Sequence, residues 1–242
     1  MVAYDKALAL LDEVLRTTPQ SAATRHKARN VHWDRALTNE SMSDWDSAAA
    51  DWAAAMEFDA GGERTKLRAK RARSLAMAGD HVTAALDAEV VFTAADSSAP
   101  APTVTDKYNA VTAFSLASAV VDVEESLPEL ERAELREQYA ARAVKYLAIM
   151  IESGDFDAPE NRELLRTDSD LEPLRDRADF DELIDSLVGT VALIAEFRLL
   201  TLCGSFDLRL TRTLQSQSNC CCAGFSPTPQ AVARKFAIAA TN

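Results

Sequence analysis

Six cations fall within ten residues of this chain, Arg64, Lys66, Arg68, Lys70, Arg71 and Arg73, in a protein of formal net charge −12. A basic cluster in an acidic chain either holds an anion or pairs with acids of its own fold. The anion that suits it is a carboxylate, from an acidic segment or a peptide C-terminus. The competing reading is a solvated helix face paired with neighbouring acids.

Other chemistry-bearing residues are dispersed. His26, His32 and His81 have no HExxH spacing and no serine or cysteine partner at a defined interval, which assigns them packing roles. Trp33, Trp45 and Trp52 offer a ligand surface, but their helical spacing favours the core. Asp168, Asp170 and Glu172 suggest calcium, yet the string lacks the glycine and distal glutamate of an EF-hand loop and reads as a capped, exposed turn. Cys203 and the run Cys220, Cys221 and Cys222 lack CxxC pairing and a nearby histidine, so reduced thiols are expected rather than metal or disulfides. No paired acid and base, metal set or nucleophile constellation emerges; the expectation is a non-enzyme with no cofactor and no metal.

Charge narrows the partners. Four of the 26 Lys and Arg lie after Asp207, the last acid, so the first 207 residues carry 22 basic against 38 acidic groups, a net of −16. Such a body repels phosphate backbones, and nucleic acid is not an expected partner. The N-terminus MVAYDKALALL lacks the layout of a signal peptide, and the most apolar window, Val188 to Leu202, holds Glu196 and Arg198 and is too short to span a bilayer. A cytoplasmic protein without a membrane role is expected.

These residues need elements to carry them. Apolar residues make up 48% of the chain, alanine dominates that set, and 7 glycines and 8 prolines are few interruptions for 242 residues. Alanine favours helix and lets backbones approach, so the composition predicts an all-α fold. In Asp44 to Phe58, Trp45, Ala48, Trp52 and Ala55 share one face, and Ser41 or Ser43 is placed to cap this helix. The same spacing occurs upstream at Tyr4, Ala7, Leu11 and Val14, and downstream at His81, Ala84, Ala88 and Val91. The intervals of 41 and 36 residues are those of a helical-hairpin repeat.

The reading is a solenoid over residues 1–190: a half repeat at 4–19, hairpins at 22–60, 63–95 and 106–153, and terminal helices within 160–189. Gly61 and Gly62 close the second helix of the first hairpin, Gly79 and Asp80 turn the second, and Asp96 to Thr105 forms a linker. Phe180, Leu183, Ile184 and Leu187 mark a capping helix that ends near Gly189. Residues 203–242 lose acids and apolar period together, the composition of a flexible tail or of sequence from another reading frame. The opening half repeat lacks its first helix, so the chain reads as the C-terminal part of a longer protein or one with a misplaced start.

Hairpins of this length, with an aromatic-to-alanine spacing in each second helix, resemble tetratricopeptide repeats. Three segments are similar to the repeat-bearing C-terminal regions of large bacterial serine/threonine protein kinases: Arg29 to Ala36 (RNVHWDRA), Ala76 to Ala84 (AMAGDHVTA) and Leu164 to Leu183 (LLRTDSDLEPLRDRADFDEL). The family usually carries glycine where Asp34 and Ser43 stand. Kinase catalytic motifs are missing: no phosphate-covering glycine loop, VAIK-like lysine, HRD or DFG occurs, and Ala158-Pro159-Glu160 is an isolated coincidence with the kinase APE. The resemblance implies a scaffold that binds a partner segment in a concave groove, in a kinase-signalling setting. The alternative is a detached regulatory fragment of a kinase acting in cis. Counting back from His81 in repeat phase puts Lys66, Lys70 and Arg73 on the groove side of their helix, as the site for an acidic or C-terminal protein segment.

Overall fold

Side-chain caps start four of the helices of this computed structural model; residues 2–93 and 100–187 are described, all within one unit, Met1–Thr190. Helix α1 spans Val2–Thr17, α2 Ala22–Ser41, α3 Trp45–Phe58, α4 Arg64–Ala78, α5 His81–Thr93, α6 Val104–Asp122, α7 Glu129–Glu152 and α8 Pro159–Thr167. A 3-10 turn follows at Ser169–Leu174, and residues 178–187 are again helical. No strand occurs among the described residues. The Ser21 hydroxyl caps α2 by accepting from the Thr24 amide at 3.3 Å. Thr103 and Asp106 close a capping box on α6, which starts that helix inside the stretch expected to be linker.

The cap of α3 differs from expectation. Asp44, not Ser41 or Ser43, accepts from the Ser47 amide at 3.2 Å. Ser41 lies in the last turn of α2 and donates to the Thr38 carbonyl, while Ser43 sits in the left-handed region at φ 58°. Around Ser43, the Asp44 amide donates to the Asn39 carbonyl and the Ser43 amide to that of Glu40, the two bonds of a Schellman turn. At 36 residues' distance the pattern repeats: Asp80 donates to Leu75, Gly79 to Ala76, and Gly79 has φ 98°. Asp80 also caps α5 by accepting from the Thr83 amide, as Asp44 caps α3. The hairpins α2/α3 and α4/α5 thus share one turn, made with serine in the first and glycine in the second. A side chain in this region is strained by roughly 1 kcal/mol. Ser43→Gly is expected to recover about that amount and to raise the melting temperature by ~2–4 °C in a thermal unfolding scan.

Packing follows chain order. Helix α1 packs on α2, α2 on α3, α3 on α4, α4 on α5 and on α6, α5 on α6, and α6 on α7. A smaller core holds Ala36, Trp52, Ala55, Met56 and Leu67, with Trp33 against it. A larger one runs from α4 to the last helix, where Phe180 is buried and Leu183, Ile184 and Leu187 pack on it. Aromatic stacking tightens its middle, with the Tyr146 ring 3.8 Å from Phe92 and 5.8 Å from Phe114. Burial, with the carboxylate of Glu89 that accepts its hydroxyl, pushes the Tyr146 phenol up to about 12.

The acidic turn at Asp168, Asp170 and Glu172 is capped as the residue types suggest, Asp168 accepting from the Asp170 amide at 2.9 Å, but of the three only Glu172 is exposed. Leu171 and Leu174 are fully buried and Asp170 is nearly so, because the 3-10 turn packs on α6. Asp168 accepts from Tyr108 at 2.8 Å, and Arg73 reaches Asp170 at 2.7 Å. The Cys203 and Cys220 to Cys222 thiols, the Val188 to Leu202 window, Gly189 and the 203–242 tail lie outside the described residues.

Candidate functional site

Helix α4 sorts its cations between two sides. Arg68 and Arg71 turn to Asp87 on α5, with Arg71 donating through Nε at 2.6 Å and Nη2 at 2.8 Å and Arg68 3.5 Å away. The bond to Asp87 holds the Arg71 guanidinium above its ordinary range, whereas burial pulls Arg68 down against the attraction of that carboxylate. Lys66, Lys70 and Arg73, at i, i+4 and i+7, occupy a different face.

That face is built on two indoles. The Lys66 ammonium lies 4.7 Å from the centre of the Trp33 ring, supplied by α2, and 3.4 Å from the Glu63 carboxylate. The Arg73 guanidinium lies 5.5 Å from the Trp45 ring at the start of α3, while its Nε is held by Asp170. Lys70, between them and half-buried, has no ion pair or hydrogen bond among the described residues. The sequence therefore brings the three cations to one face, but Arg73 is already neutralised. Lys66 shares its charge with the partly exposed Glu63, and Lys70 alone of the three has no acid. Of the six cations on this helix, four pair with acids of the fold, so the paired-face reading describes Lys66, Arg68, Arg71 and Arg73 and leaves Arg64 and Lys70 out.

Beside Lys66 is a shallow recess of about 290 Å³ lined by Arg29, Asn30, Trp33, Asp34 and Glu63. Arg29 donates there to Asn30 and to Asp59, 3.0 Å away. Two acids, Asp34 and Glu63, match the two cations of the recess, Arg29 and Lys66. A larger cleft of about 520 Å³ between α6, α7 and the 3-10 turn contains none of the expected site residues; its Arg136 and Arg177 pair with Asp122 and Glu137.

The tryptophans divide by position. Trp52 is fully buried, edge-on to Trp33 at 5.3 Å, and its indole N–H donates to Glu40 at 2.8 Å. Trp33 packs against the smaller core as its spacing suggests but is only partly buried, and it and the partly buried Trp45 each lie beneath a cation. The histidines are held apart: His26 meets Arg29, His32 meets Asp51 and stacks on Phe58, and buried His81 meets Tyr139 at 3.1 Å. Among the described residues no group of three or more His, Cys, Asp and Glu is placed to hold a metal ion, and no helix is long and apolar enough to cross a membrane.

Sequence reasoning missed Asp51, the most heavily bonded carboxylate described. His32 Nδ1 lies 2.9 Å from it, Arg35 donates through Nε and Nη2, and Asn39 donates at 3.0 Å. A signal for it existed: Arg35 and Asp51 precede Arg71 and Asp87 by 36 residues each, so the same ion pair ties the two arms of both hairpins. Compared with protein-family models, curated proteins and solved structures, the chain gives no match.

Proposed function

We propose that this chain is a non-catalytic, tetratricopeptide-like scaffold whose α4 face takes an acidic segment of a partner protein. The observation that carries this reading is Lys70, a half-buried cation without an acid of its own, set beside a lysine that an indole holds in place. Stacking on Trp33 limits the rotamers of Lys66, so less side-chain entropy is lost when a carboxylate binds. The partner's acids would accept from Lys66 and Lys70, and Arg73 with Asp170 would border the site. The tetratricopeptide, cytoplasmic and kinase-signalling parts of the proposal rest on the repeat spacing, the composition and the three similar segments.

Titration of the isotope-labelled chain with an acidic peptide, followed by amide chemical shifts, tests the site. Shifts should centre on α4 and on Trp33, weaken with added salt, and lose at least ~tenfold in affinity, about 1.4 kcal/mol, in Lys66→Glu/Lys70→Glu. Absence of shifts on α4 up to about 1 mM peptide, or affinity unchanged in the double variant, would overturn the proposal.

A further inference from the structure

Helix α1 carries two apolar faces. Tyr4, Leu8, Leu11 and Leu15 form the more buried one, on the α2 side: Tyr4 bonds Thr38 across 3.2 Å and Arg35 reaches Asp5 at 2.7 Å. The other consists of Ala3, Ala7, Leu10 and Val14, at i, i+4, i+7 and i+11, the seam spacing of paired helices. Leu10 is 70% exposed and Val14 44%. Lys6 and Glu13, seven residues apart, share the flank of this seam.

We propose that this face pairs with α1 of a second copy of the chain, antiparallel about a two-fold axis. Antiparallel pairing sets Ala3 opposite Val14 and Ala7 opposite Leu10 of the second copy, small against large along the whole seam, which fills it. A parallel arrangement sets alanine against alanine and leaves voids. The antiparallel arrangement also turns the charged flank onto itself, so Lys6 of each copy meets Glu13 of the other. Lys6 has no ion pair among the described residues, and Glu13 is engaged by an exposed Arg16, a contact of little net worth that it can exchange. Sixteen helical residues span about 24 Å, and the interface falls in the weak class below about 1,200 Å². The pairing is therefore reversible and concentration-dependent.

Sedimentation equilibrium of the full chain from about 1 µM to about 1 mM should show a monomer–dimer equilibrium. Leu10→Glu, a substitution at an exposed position that leaves the helical circular dichroism unchanged, should abolish it. Lys6→Glu alone or Glu13→Lys alone should weaken it by ~tenfold at low salt, and the two together should restore it. A chain that stays monomeric throughout, as it would if a helix from an upstream segment covers this face, overturns the proposal. So does a dimer indifferent to Leu10→Glu, or a charge-swapped double variant no better than either single one.

Discussion

Trp52→Ala is expected to cost 3–5 kcal/mol, the range for removing a buried large aromatic side chain, and to lower the midpoint of urea unfolding accordingly. Trp52 has no exposed surface, and the smaller core is assembled around it from Ala36 and Leu67 on the flanking helices and from Ala55 and Met56 on its own. The methyls of Ala36 and Ala55 have no rotamer that could fill the space, so only Met56 and Leu67 can relax into it and part of the cavity remains. The indole also donates to Glu40, which accepts from Ser74 on α4 through the same oxygen; one carboxylate ties α2, α3 and α4 together. Trp52→Phe separates the two contributions, since it keeps most of the ring and loses the N–H. Its expected cost is roughly 1–2 kcal/mol. Equal losses for Phe and Ala would mean that the hydrogen bond, not packing, makes this position critical. Loss of a large part of a total stability of ~5–15 kcal/mol should also loosen the Trp33 platform and the peptide response of Lys66 with it.

How much of this was legible beforehand depends on how local the signal was. The end of the hairpin expected at 106–153 was readable because α7 stops at Glu152, just before the turn at Gly154. The turn at Ser43 was marked by the place of a glycine, and its φ of 58° shows why glycine suits it. The start of α6 was misplaced because a proline- and alanine-rich composition hid the Thr103 and Asp106 box. Phase arithmetic brought Lys66, Lys70 and Arg73 to one face. Nothing local, however, could show that Arg73 is spoken for by Asp170, 97 residues on, or that Trp33 and Trp45 would stop half-way into the core beneath cations. The first depends on the 3-10 turn, which packs on α6, and the second on how α4 lies against α2 and α3; tertiary contacts of that kind leave no period in the chain.

Polar periodicity was the readable signal left unused, and it makes Asp51 the position where a small change should act most strongly. Asp51→Ala is expected to cost about 3–5 kcal/mol, because it leaves the Arg35 guanidinium and the buried Asn39 amide without the acceptor that offset their desolvation. Asn39 already has a buried side-chain oxygen without a donor, so the network is not fully satisfied even with Asp51 in place. Arg35 also anchors α1 through Asp5; amide exchange in α1 should therefore rise more in Asp51→Ala than in Asp87→Ala, which breaks the corresponding pair of the next hairpin. The pH dependence has a definite sign. Burial raises the Asp51 carboxyl, but the hydrogen bonds from His32 and Arg35 outweigh it and hold the group below its ordinary value. A carboxylate depressed in the folded state contributes stability that is complete above the unfolded value of about 3.9 and is lost as pH falls through the lower folded value. Asp51→Asn keeps the shape and removes the titration. Below pH ~4 the urea midpoint of the parent chain should fall more steeply than that of Asp51→Asn; parallel curves would show that Asp51 does not carry the acid sensitivity of this fold.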